Sequence, residues 1–167
     1  MIGQILLQLI LIALNAIFAC AEIAVISSNE TRIDKLAEQG NKPAKRLQAL
    51  QNRPAQFLAT IQVAITLSGF LGSAFAADHF SEALVQLLVN WGVAIPQATL
   101  QTISVVLITI LLSFLTLVFG ELVPKRIAMR KAESIALGIS GMIQVLAKLC
   151  SPLVWLLTAA TNGVLRL

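Results

Sequence analysis

The stretch 119–126 reads FGELVPKR and closes a long apolar run, LQTISVVLITILLSFLTLVFGEL at 100–122. Glu121, Pro124, Lys125 and Arg126 thus fall together where a membrane helix should be ending. Proline within a helix lacks an N–H and clashes with the carbonyl four residues back. For Pro124 that residue is Gly120, whose carbonyl loses its helical donor. In lipid a freed carbonyl must find another partner. Glu121 sets a carboxylate beside it, which makes the spot oxygen-rich and negative. Hard divalent cations such as magnesium take such ligands, usually one or two carboxylates with other oxygens or waters. Interrupted membrane helices are also where transporters hold ions. The competing reading is a span that ends at a proline, with Glu121 paired to Lys125 at i, i+4.

The surrounding composition places this stretch in a membrane. Of 167 residues 57% are hydrophobic and only 12% charged, and the mean hydropathy is +0.87. Soluble domains run near a quarter charged. The length suits one membrane domain. The net charge of +4 is concentrated in two clusters: Arg32, Lys35, Lys42, Lys45, Arg46 and Arg53, then Lys125, Arg126, Arg130 and Lys131. No aromatic residues interleave them as in a nucleic-acid surface, which argues against a nucleic-acid partner. Cys20 and Cys150 lie in separate apolar runs and read as small buried residues, not a disulfide or metal pair.

A bilayer crossing needs about 20 apolar residues, and three runs supply it: Ile5–Ile26, Phe57–Ala77 and Leu100–Val123. The N-terminus, MIGQILLQLILIAL, has no basic residue ahead of its apolar run, so it reads as a retained span and not a signal peptide. Between the first two spans, Ser28–Pro54 is polar, and Gly40 and Pro43 predict two short helices with a break. Its cations mark it as cytoplasmic. The connection after the second span, DHFSEALVQLLVNWGVAIPQA, has no Lys or Arg and should lie outside, whereas KRIAMRK after the third is again inside. All three assignments place the N-terminus outside.

The last segment, Ser134–Leu165, allows two readings. It is apolar enough for a fourth span, which would put Arg166 outside. Yet Ser140, Gln144, Lys148 and Ser151 recur at helical spacing on one face. That pattern favours an amphipathic helix at the inner interface, which keeps Lys148 wet.

Polar residues also stripe the spans. In the first, Asn15 and Glu22 are seven apart and share a face with Ala19 between them. Glu22 near the cytoplasmic end either contributes to a site or is protonated, or reaches toward Arg32, since a mid-bilayer charge is costly. In the second, Gln62, Thr66, Gly69 and Ser73 align, and in the third Thr109, Ser113, Thr116 and Gly120 do the same. Such stripes mean either close helix packing with interhelical hydrogen bonds or a hydrated cavity. Phe70, Phe75, Phe114 and Phe119 are candidates for a dimer surface. The one histidine, His79, sits beside Asp78 with no partner Ser, Cys or HExxH spacing. It reads as a solvated loop residue, and an enzyme is disfavoured.

Three stretches together carry a resemblance: NAIFACAEIAVISSNETRIDKL, RPAQFLATIQVAITLSGFLGS and GELVPKRIA. In this order and over nearly the whole chain, they resemble the membrane domain of the CorC/cyclin-M (CNNM) magnesium transporter family, also called hemolysin-C-like. The resemblance implies an all-α membrane protein of the cell (inner) membrane. Residues 1–167 would form one transmembrane domain, a homodimer with three spans per protomer and a belt-like inner helix over 134–165. It implies secondary-active Mg²⁺ export coupled to Na⁺ entry. It also implies a following cytoplasmic CBS-domain pair, so the chain is expected to be the membrane part of a longer protein. Glu121 is the best-matched ion ligand, with the Gly120 backbone and Pro124 beside it. Magnesium-type members tend to have a serine near Ala19 and asparagines near Ile65, Thr66 and Gly69, and this chain has neither. The remaining oxygens are therefore assigned to Gln62, Thr66, Ser68, Glu22, backbone carbonyls or water. That departure keeps two other functions open: export of organic cations such as polyamines, and a non-transporting anchor or sensor for cytoplasmic domains.

Overall fold

The computed structural model describes residues 2–93 and 95–165, with the side chains at 76–78 left aside. Arg166, which a fourth span would place outside, lies beyond the described residues. The described chain is helical throughout: α1 Ile2–Ser27, α2 Glu30–Glu38, α3 Lys42–Gln51, α4 Pro54–Asn90, α5 Gln97–Leu117, a π-helical turn Val118–Leu122, α6 Val123–Arg130 and α7 Ala132–Leu165. Four helical stretches are long and apolar enough to cross a membrane: Ile2–Ser27, Pro54–Asn90, Gln97–Arg130 and Ala132–Leu165.

Local chemistry explains the breaks between α1, α2 and α3. Asn29 caps α2, its side chain accepting from Arg32 N at 3.1 Å, and Asn41 caps α3 by accepting from Ala44 N at 3.1 Å. Both satisfy amides that a helix start leaves without partners. Gly40 ends α2 at φ +88°. Its N–H bonds Ala37 O, and Asn41 N–H bonds Leu36 O, the paired closure that a left-handed residue permits.

Two boundaries differ from the sequence-based expectation. The second helix does not end near Ala77 but runs on to Asn90, because no Gly or Pro falls between Ser73 and Trp91 and SEALVQLL is built of good helix formers. At about 1.5 Å per residue, α4 is far longer than the hydrocarbon core. His79 is consequently a helical residue, exposed, with Nδ1 3.1 Å from Phe75 O, and not a loop residue. The third apolar helix likewise passes through Pro124 and reaches Arg130.

The chain divides into two compact units. One takes α1 up to Ala16 together with Thr66–Val123; the other takes Ile17–Ile65 and the chain from Pro124 onward. The second unit holds the apolar core, in which Ala21, Ala24 and Val25 of α1 meet Ile33, Leu47, Phe57, Ile61, Ala128, Ala136 and Ile143. Polar ties fasten α2 and α3 onto it. Gln48 Nε2 donates to Asp34 Oδ1 at 2.8 Å, and Gln51 Nε2 donates to Ser28 Oγ at 2.9 Å. Arg32 pairs with Glu133 at 3.0 Å. The first unit buries Val85 and Leu100 together with several small and polar groups: Gln8, Asn15, Ser68, Ser81, Ser104 and Gly120. Gln101 Nε2 donates to Ser81 Oγ at 3.1 Å, which ties α5 to the far end of α4.

Candidate functional site

The proline at 124 does not interrupt the helix. The chain absorbs it by widening into a π-helical turn, VFGEL at Val118–Leu122. Such a turn carries one extra residue per loop, and single π-turns occur mostly inside α-helices, frequently at functional sites. The Gly120 carbonyl points to the first helix, where Asn15 Nδ2 donates to it at 3.2 Å. The partner required for this carbonyl in lipid is thus a side-chain amide. Sequence reasoning had placed Asn15 on a face with Glu22 but had not connected it to Gly120.

The approach of α1 to this turn is close. A Cβ added at Gly120 would stand 3.2 Å from Asn15 Nδ2 and 3.4 Å from Ile12 O. Glycine is therefore needed here for contact between backbones. Asn15 is only 3% exposed. Since its nitrogen must donate to the carbonyl, its oxygen faces the other way, and Asn15 Oδ1 is buried with no hydrogen-bond partner. An unsatisfied buried acceptor costs about 1–3 kcal/mol. Glu121, half-buried, follows Gly120 in the same turn.

The other sequence-derived candidates divide between the two units. Thr66, half-buried, and Ser68, buried, lie on α4 in the unit that holds Asn15, Gly120 and Glu121. Glu22 and Gln62 belong to the other unit. Glu22 does not reach for Arg32, which is held by Glu133. Lys125 Nζ stands 3.1 Å from Glu22 Oε2, both side chains three-quarters or more buried. That oxygen lacks hydrogen-bond geometry with any donor, so the attraction is chiefly Coulombic. Gln62 is exposed. Among the described residues no three His, Cys, Asp or Glu side chains assemble as a metal cluster. A cation at the π-turn would accordingly meet amide, carbonyl and single-carboxylate oxygens, the ligand type of hard ions.

One further residue went unnoticed in the sequence. Gln8, seven residues before Asn15, is 7% exposed on α1. Its side-chain amide stands 3.4 Å from where a Cβ of Gly72 would be. The signal was available: Gln8, Asn15 and Glu22 form one stripe at seven-residue spacing. The small-polar stripe of α5 behaves differently. Thr109 and Ser113 are exposed, so within one chain only the Gly120 end of this stripe is a helix-packing seam.

Several apolar helices in one chain, with buried polar groups along them, define a multi-pass helical membrane protein. The chain belongs to the CNNM family: the model of the cyclin M transmembrane N-terminal domain matches residues 6–167. It is 39% identical over 158 residues to a UPF0053 protein of Synechocystis sp., covering 95% of this chain and 35% of that one. It is 32% identical over 166 residues to the UPF0053 protein YhdT of Bacillus subtilis, covering 99% and 35%. It is 30% identical over 167 residues to the polyamine export protein of Escherichia coli, covering 100% and 37%. The chain thus spans little more than a third of the curated relatives it matches.

Proposed function

We propose that this chain is the membrane part of a secondary-active cation exporter, with Mg²⁺ as the exported ion and Na⁺ entry as the driving force. The observation that carries this reading is the π-turn, where the Gly120 carbonyl is held by Asn15, the amide oxygen of Asn15 is buried without a partner, and Glu121 follows in the same turn. A cation satisfies that oxygen where a neutral interior would not. We assign Glu121 and the Gly120 backbone as central ligands, and Thr66 and Ser68 of the same unit as further oxygens, directly or through water. Asn15 joins them, whereas Glu22 and Gln62 belong to the other unit.

In this reading α1, α4 and the α5–α6 helix are the three spans, the N-terminus is outside, and α2 and α3 are cytoplasmic. The cations of residues 28–54 and 125–131, against none in 78–96, support that orientation. Lys148 and Gln144 on α7 support an inner belt helix. The exposed Thr109 and Ser113 support a homodimer, because a polar stripe facing lipid is costly and a second copy would cover it. The longer relatives support a full-length chain in which cytoplasmic domains follow, and we infer a CBS pair there.

The printed function of the Escherichia coli relative supports a second reading, polyamine export. A polyamine needs carboxylates in a wider cavity and no dehydrated ion site. Flux into proteoliposomes separates the two. Under the first reading Mg²⁺ flux requires a Na⁺ gradient, falls to background in Glu121→Ala and is indifferent to spermidine. Labelled spermidine uptake unaffected by Mg²⁺ would establish the second. Retained Mg²⁺ flux in Glu121→Ala would count against the first reading, and no flux of either cation in the parent protein would leave an anchor or sensor role.

A further inference from the structure

In the second unit a cavity of about 590 Å³ opens between α3, the start of α4 and α7. Arg46, Asn52, Arg53 and Gln56 face it from one side, and Gln144 and Lys148 from α7. Three cations line it and no carboxylate does. Among the described residues none of the three forms an ion pair. Arg46 lies close on α7, since a Cβ at Gly141 would stand 3.0 Å from Arg46 Nη1. The polar face of α7 recognised in the sequence is therefore turned toward a cationic cavity.

The cavity has an apolar wall, Leu50 and Phe57, and a second groove of about 390 Å³ adjoins it, sharing Gln56 and Ser151. That groove is bounded by Ala55, Val154 and the exposed ring of Trp155. A cationic chamber roomy enough for a phosphate headgroup thus borders a partly apolar channel edged by tryptophan, a residue enriched at membrane interfaces. Basic pockets between helices on the cytoplasmic side take anionic lipid headgroups. A soluble anion would use the chamber and leave the channel empty.

We propose that this is a binding site for an anionic phospholipid, whose phosphate sits among Arg46, Arg53 and Lys148 and whose acyl chain lies along Val154 and Trp155. The inference rests on the membrane placement of the chain and not on transport, so a protein that moved no cation would still show it.

Trp155 is the reporter. The chain has two tryptophans, and Trp91→Phe leaves Trp155 alone. Quenching by brominated phosphatidylglycerol and by brominated phosphatidylcholine in vesicles gives the relative affinity of the two lipids. Each cation near an anionic headgroup contributes about five-fold. The expected result is a preference for phosphatidylglycerol of at least that size, reduced to near unity in Arg46→Gln/Arg53→Gln/Lys148→Gln. It is retained in Arg46→Lys/Arg53→Lys, and in Lys35→Gln/Lys42→Gln/Lys45→Gln, which removes equal charge away from the cavity. No preference in the parent, equal loss in the distant triple variant, or abolition of the preference by millimolar inorganic phosphate would each overturn the proposal.

Discussion

Asn15 has one end of its carboxamide committed to the Gly120 carbonyl and the other buried without a partner. Asn15→Ala removes the donor and leaves that carbonyl orphaned, for which we expect a loss of about 1–3 kcal/mol. Thermal unfolding in detergent measures it. Gly120→Ala pushes a methyl against Asn15 Nδ2 and Ile12 O. An overpacked contact of this kind costs roughly 1–3 kcal/mol, and the same melts should show it. The Glu22–Lys125 pair makes a different prediction. Removing Lys125 leaves the largely buried Glu22 carboxylate without this cation, whereas removing both does not. Lys125→Leu should lower the melting temperature more than the double substitution Glu22→Leu/Lys125→Leu does. An equal or larger loss in the double variant would mean that the pair contributes little.

At the scale of elements, the π-turn is a register device. It admits Pro124 without ending the helix and turns the Gly120 carbonyl outward to α1. Pro124→Ala restores an N–H and removes the steric reason for the wide turn. We expect unchanged or higher thermal stability and, under the proposed exporter function, a large loss of cation flux, because the carbonyl returns to the helix. A variant that transports normally would show the turn to be incidental. The α2–α3 corner is simpler. Gly40 holds φ +88° with nothing within 4 Å of a Cβ, so Gly40→Ala costs backbone strain alone, about 1 kcal/mol.

At the scale of the whole molecule, the exposed surface of the apolar helices is not uniform. Phe70, Phe114 and Phe119 are 58–70% exposed, and Thr109 and Ser113 lie exposed on α5 beside them in sequence. Lipid satisfies the phenylalanines, but hydroxyls on a lipid-facing helix prefer a partner. With Cys20 and Cys150 replaced, Ser113→Cys should give a disulfide-linked dimer in native membranes under mild oxidation. A cysteine at Leu107 on the same helix is the comparison. Monomer at both positions would count against a dimer on this face.

The sequence by itself determined the membrane class, the helical breaks around Gly40 and Pro43, and the special status of Gly120–Pro124. Each follows from short-range chemistry: hydrophobic run length, a missing N–H, a residue that tolerates positive φ. It could not supply the partner of the Gly120 carbonyl, 105 residues away at Asn15, nor the Glu22–Lys125 and Arg32–Glu133 pairings. Arg32 was the nearer candidate for Glu22 along the chain, and only the packing of α6 and α7 decided otherwise. The passage of the helix through Pro124 was likewise beyond local rules, since a proline reads as a stop until an extra residue in the turn removes its clash, whereas the length of α4 was legible in its lack of Gly and Pro after Ser73. Which oxygens lie buried together is a property of helices brought side by side, and spacing along one helix names only the face, not what it meets.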